Sequence, residues 1–113
     1  MTDLNLVTRS TPTGADLAVA GDLDHASAGR FRSAVGLVAL HRGDVLVVDL
    51  RGLTFCDSSG ITALIAARNQ VQEQGADITL AEVPAATVRI LRLLGLDQIF
   101  DIRPGAGAGT GEG

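Results

Sequence analysis

Aromatic side chains are almost missing from this 113-residue chain, which has no Trp, no Tyr and only three Phe. With 46% hydrophobic residues, a disordered chain is excluded, and Leu, Val, Ile and Ala must fill the interior. One cysteine, Cys56, rules out an internal disulfide, and the only histidines, His25 and His41, lie far apart in sequence. No metal-ligand spacing results. Lysine is absent, so all nine basic residues are Arg; the net charge is -4 and the pI about 4.9. Without a basic stripe, direct binding to nucleic acid or to an anionic membrane surface is not expected, and a neutral or basic protein surface is the better partner. There is no apolar N-terminal h-region and no membrane-length apolar run, so no membrane insertion is expected and the cytoplasm is the default compartment. No Walker loop or dinucleotide fingerprint occurs, because Gly105, Gly107 and Gly109 precede no helix. No cofactor is implied.

What is present fits one small domain with a single modest core. Leu4, Leu6 and Thr8 alternate with Asn5 and Val7 as a weak strand, a turn follows at Ser10 to Gly14, and a second strand over Asp16 to Ala20 completes an antiparallel hairpin. Gly21-Asp22-Leu23-Asp24 is expected to break that strand. Phe31, Ala34, Val35 and Val38 then mark a helix face, with Asp24 placed to cap it and Gly43 to end it; His41 falls near its C-terminus. Asp44 to Leu50 is a near-continuous aliphatic run, the pattern of a central strand covered on both faces. Arg51 to Cys56 carries the chain to a second helix, where Ile61, Leu64, Ile65 and Val71 form the buried face and Gly75 the stop. Ile78 and Leu80 mark another strand, Pro84 opens a third helix through Val88, Leu91 and Leu94 to Gly95, and a last short strand covers Ile99 to Ile102. Helix crossovers between the later strands imply parallel neighbours beside the hairpin. From Pro104 onward the Gly-rich sequence lacks apolar side chains to offset the entropy of ordering and is expected to be a flexible tail.

Chemistry concentrates at Asp57-Ser58-Ser59-Gly60, where a strand gives way to a helix N-terminus. Asp and Ser are preferred caps, worth on the order of 1 kcal/mol each, so capping accounts for both residues locally. The same place, with free backbone N-H groups and the positive end of the helix dipole, also suits an anion. A hydrolytic reading takes Ser58 or Ser59 as nucleophile, His25 as base and Asp24 or Asp57 as orienter, although the G-x-S-x-G elbow is absent. Asp22 and Asp24 read as turn and capping residues. Cys56 reads as a small core residue at a strand end.

The stretch VVDLRGLTFCDSSGITAL, preceded by GDLDHASA and followed by LRLLGLDQIF, resembles the STAS domain, and in particular the stand-alone bacterial anti-sigma factor antagonists. The resemblance covers about Leu4 to Ile102 and rests on several motifs in order. It implies a single α/β domain over residues 1–103, with a mixed sheet of about four to five strands packed with about three to four helices, and a tail over 104–113. It further implies a binding protein, not an enzyme, whose unphosphorylated form holds an anti-sigma factor that is itself a serine kinase and so frees the sigma factor. Phosphorylation falls on the serine directly after the motif aspartate, here Ser58 in preference to Ser59, and blocks that binding until a phosphatase restores it. The partner surface carried over comprises Asp22, Asp24, His25, Asp57, Ser59, Gly60 and Ile61, with Asp22 standing where the family more usually has Glu. A phosphate next to Asp57 and Asp24 should disturb an interface more than it refolds the domain. The alternative within the family is a scaffold subunit of a lipid-transport ATPase or a stress-signalling complex, using the same surface without a kinase cycle.

Overall fold

The computed structural model describes residues 3–105. Alternating apolar residues build a hairpin of β1 (Asn5–Thr11) and β2 (Gly14–Leu23), followed by α1 (Ala28–Gly36), β3 (Val45–Cys56), α2 (Ser58–Glu73), β4 (Asp77–Val83), α3 (Ala85–Leu93), a short 3-10 turn (Leu96–Gln98) and β5 (Asp101–Pro104). The expected order of strands and helices is the observed one. The five strands lie in the order β1-β2-β3-β4-β5, with only β1 and β2 antiparallel. This is the mixed sheet of an α/β domain.

Each parallel step moves to the next strand in the same direction, so right-handed crossovers place all three helices on one face of the sheet. Burial agrees. In β3, Leu46, Val48 and Leu50 are buried while Val45, Val47 and Asp49 between them are half-exposed, and β2 buries Ala15, Leu17, Val19, Gly21 and Leu23 in the same alternation. The expectation that β3 is covered on both faces is therefore corrected: its aliphatic run is denser than its one-sided burial requires. Phe31 and Val35 of α1, Leu64, Ala67 and Val71 of α2 and Leu91 of α3 close the core against Leu17, Leu46, Leu50 and Leu80. Each fully buried Leu or Phe side chain contributes about 1.5–3 kcal/mol, so the shortage of aromatics costs the core little.

Several boundaries move. β2 continues through Gly21-Asp22-Leu23 because its register with β3 slips between Ala18 and Ala20 and again between Gly21 and Asp22, which lets the strand bend without ending. β3 likewise runs on through Arg51 to Cys56. α1 ends at Gly36, well before Gly43. The residues after it are held instead by the far end of α2: the Leu40 N-H donates to Gln74 Oε1 (3.1 Å) and the Gly43 N-H to the Gly75 carbonyl (2.9 Å). His41 consequently sits in a loop, its N-H bonded to Asp44 Oδ2 at 2.8 Å, and not at a helix C-terminus. Gly75 and Gly95 do end or follow helices α2 and α3 as expected. β5 is displaced to Asp101–Pro104, and the Gly105 N-H donates to the Val83 carbonyl at 3.0 Å. The remainder of the Gly-rich tail, 106–113, lies outside the described residues.

Candidate functional site

Strands β2 and β3 end side by side, with Leu23 opposite Cys56. Asp24 and Asp57, each one residue further, therefore emerge together at the carboxyl end of a parallel pair, where α/β sheets commonly place their sites. The junction is drawn tight by the Asp57 N-H, which donates to the Leu23 carbonyl at 3.3 Å. Gly60 explains how close the approach is: a Cβ there would lie 2.4 Å from the Leu23 carbonyl oxygen and 2.7 Å from Cys56 Sγ. Only a bare backbone lets the first turn of α2 seat on the end of β2.

Asp57 caps α2 from an extended conformation, its carboxylate accepting the Gly60 N-H at 3.0 Å. Ser58 is the first helical residue and is exposed. Its carbonyl accepts the Thr62 hydroxyl at 2.9 Å, but among the described residues its own hydroxyl has no hydrogen-bond partner. Ser59 is half-buried, whereas Gly60 and Ile61 are buried. Of the residues carried over as partner-binding, Gly60 and Ile61 therefore support the surface from beneath instead of offering exposed side chains.

Asp24 does not cap α1 as expected. That position belongs to Ser27, and the Asp24 carboxylate accepts the N-H groups of Ala26 (3.0 Å) and Ser27 (3.1 Å) in the turn that precedes the helix. Asp22, still within β2, accepts the Thr54 hydroxyl at 2.7 Å. His25 is exposed on the turn between Asp24 and Ser27.

Ser58 stands on a ridge between two hollows. A groove of about 380 Å³ between α1 and α2 is lined by His25, Gly29, Arg32, Ser58, Ser59 and Thr62. On the other side, a hollow of about 430 Å³ is lined by Cys56, Asp57, Ser58, Ile61, Ile90 and Leu94. Leu94 is 59% exposed and Ile90 39%, and Phe55, 53% exposed, lies next to Cys56 in the chain. The sequence did not connect Arg32, Ile90 or Leu94 with the site, and Leu94, expected on the apolar face of the third helix, is instead the exposed residue that caps α3. A signal existed for the α3 pair, since Val88-Arg89-Ile90-Leu91-Arg92-Leu93-Leu94 holds more apolar residues than one helix face can bury.

The hydrolytic arrangement is not assembled. Asp24 and Asp57 spend their carboxylates on backbone N-H groups, and among the described residues His25 makes no hydrogen bond to Ser58 or Ser59. Burial, with the Asp57 charge adding to it, pushes the Cys56 thiol up to about 11, so the protonated form that behaves as a small core residue prevails near neutral pH. Among the described residues no group of three or more His, Cys, Asp or Glu side chains could hold a metal, and no helix is long and apolar enough to cross a membrane.

Comparison with known proteins gives a consistent assignment. A family model described as "Mlab, STAS domain" matches residues 6–104. An anti-sigma-B factor antagonist of Listeria monocytogenes is 25% identical over 88 residues, covering 78% of this chain and 77% of that protein. Among solved structures, an anti-sigma factor antagonist from Mycobacterium paratuberculosis has the same fold, with a TM-score of 0.79 at 24% identity over 93% of this chain and 89% of that one. A sulfate transporter family protein from Wolinella succinogenes is also similar, with a TM-score of 0.73 at 14% identity over 88% of this chain and 84% of the other. One fold thus serves different assemblies, and the choice among them rests on the site.

Proposed function

The chain belongs to the STAS domain family, and from that premise we propose that it is an anti-sigma factor antagonist, a binding protein and not an enzyme, switched by phosphorylation of Ser58. In this reading the unphosphorylated protein acts in the cytoplasm, binds its cognate anti-sigma factor, a serine kinase, and so frees the sigma factor. The kinase phosphorylates Ser58 and loses its grip, and a phosphatase acting on phospho-Ser58 resets the cycle. The observation that carries the reading is the Ser58 hydroxyl: exposed, first in α2, and without a partner among the described residues. The name of the Listeria relative supports the same role.

The surroundings suit a partner surface. Asp24, His25, Asp57 and Ser59 are exposed or half-buried at the two strand-to-helix junctions around Ser58, whereas Asp22, bonded to Thr54, alternates onto the sheet face away from the helices. The hollow with Ile90 and Leu94 adds apolar area for a partner side chain to cover. A phosphate of about -1.5 to -2 charges set on the ridge would be costly to bury in such an interface and would face the carboxylate of Asp57. Binding is thereby weakened while the fold stands.

Mass spectrometry after incubation with the cognate kinase and ATP should place one phosphate on Ser58 and none on a Ser58→Ala variant. Calorimetric titration should find tight binding of the anti-sigma factor to Ser58→Ala and at least roughly tenfold weaker binding to Ser58→Asp, a difference of about 1.4 kcal/mol. Labelling at another residue, or equal affinities for the two variants, removes Ser58 from the role. A second reading, with which the fold is equally compatible, is a scaffold subunit of a lipid-transport ATPase or of a stress-signalling complex. Pull-down separates the two: an ATPase or permease partner retained regardless of the state of Ser58 favours the scaffold.

A further inference from the structure

We propose that the groove between α1 and α2 receives the phosphate of phospho-Ser58, with the Arg32 guanidinium as its counter-charge and the His25 ring as a second donor. The inference rests on the reading of Ser58 as a phosphate acceptor and adds where the phosphate goes. Ser58 lines both hollows, so a phosphate on its oxygen has two directions open to it. Towards α3 it would meet Cys56, Ile61, Ile90 and Leu94 and the Asp57 carboxylate, with no positive charge among them; Thr62 lines both hollows and its hydroxyl donates to the Ser58 carbonyl, so it does not decide between them. Towards α1 the groove is lined by Arg32, His25, Ser59 and Thr62 and by no carboxylate.

Arg32 is available for the task. Arg30, two residues earlier, donates to the Leu4 carbonyl at 2.7 Å, Arg68 donates to the Ile99 carbonyl at 3.1 Å, and Arg9, Arg51 and Arg103 pair with carboxylates. Among the described residues the Arg32 guanidinium has no such partner. Its backbone is nevertheless held against α2, because Gln70 Nε2 donates to the Arg32 carbonyl at 3.4 Å and a Cβ on Gly36, one turn further, would come within 3.3 Å of the same nitrogen. Gly29, nearly one turn before Arg32, has only open space where a Cβ would stand, so the groove is not filled from above. A planar guanidinium suits phosphate oxygens, which it can bind in pairs.

The charged and titratable groups that bear on the phosphate are thus Arg32 from α1, His25 from the turn before it, and Asp57 and Asp24 from the strand ends. Attraction from one side and repulsion from the other turn the phosphate towards α1.

The test places phosphoserine at position 58 of the full chain during translation, so that no kinase is required, and follows the phosphate by 31P NMR through its second ionisation, ordinarily near about 6. Arg32→Gln should raise that pKa by about half a unit relative to the parent, Arg32→Lys should restore most of the difference, and His25→Gln should give a smaller rise. Arg89→Gln, at an exposed position of α3 outside the groove, should leave it unchanged. Equal values for the parent and Arg32→Gln overturn the proposal, as does an equal shift from Arg89→Gln, which would mark a general effect of net charge. Amide spectra of each variant report the fold independently. Because the phosphoserine is supplied, a null result counts against the Arg32 contact alone, whereas failure of the kinase to label Ser58 counts against the proposed function alone.

Discussion

Two serines stand at two adjacent strand-to-helix junctions and are used in opposite ways. After β2, the Ser27 hydroxyl donates to the Asp22 carbonyl at 2.8 Å and accepts the Asp24 N-H at 3.0 Å, and the residue is 7% exposed. After β3, Asp57 takes the cap by itself, and Ser58, one residue on, is left exposed with its hydroxyl unengaged among the described residues. Spacing makes the difference. Ser27 lies three positions after Asp24, far enough for the serine to fold back on the end of its strand, while Ser58 follows its aspartate directly and is already helical. A hydroxyl that folding uses cannot be modified without disturbing the fold. One that folding leaves idle can carry a phosphate.

The change that would break both junctions together is Gly60→Ala. Its Cβ would sit 2.4 Å from the Leu23 carbonyl oxygen, on a backbone that cannot give way as a flexible side chain would. We expect about 3 kcal/mol of lost stability in urea unfolding, despite the better helix propensity of Ala. A loss below about 1 kcal/mol would mean that the junctions are not locked to each other. Next in size is Ser27→Ala, expected to cost about 2 kcal/mol, because it strands the Asp24 N-H and the Asp22 carbonyl in a part-buried turn. Its unfolding midpoint should fall clearly below that of Ser58→Ala; coincident midpoints would end the contrast between the two serines.

Much of this was legible in the sequence. The alternation in β2, the apolar spacing of α2 and the crossover order follow from side-chain periodicity, which backbone geometry enforces. Bulges are less legible, since Gly21-Asp22-Leu23 reads as a break when the partner strand that accommodates the slip is unknown. One-sided cover of β3 was hidden because Val45 and Val47 are as aliphatic as the buried Leu46 and Val48. At the site, Ser58 was found through motif resemblance, as local chemistry alone is satisfied by capping. Ser27 was passed over, although its bonds hold the turn that carries Asp24 and His25. Arg32, Ile90 and Leu94 were missed because helices 26 or more positions away in the sequence bring them to Ser58, and no local pattern records that packing.

The smallest effects sharpen the comparison most. Asp57→Ala removes the acceptor of the Gly60 N-H and should cost about 1 kcal/mol, the usual worth of an N-cap. Ser58→Ala should stay within about 0.5 kcal/mol of the parent, as a surface substitution with no partner to lose. The two residues are neighbours in sequence, so the pair separates the cap from the acceptor at one helix end. Under kinase and ATP, Asp57→Ala should still incorporate phosphate at Ser58 if the helix start is retained, while Ser58→Ala incorporates none at essentially parental stability. Should Ser58→Ala prove as destabilising as Asp57→Ala, its hydroxyl would be part of the cap, and a phosphate there would melt the first turn of α2 instead of leaving the fold in place.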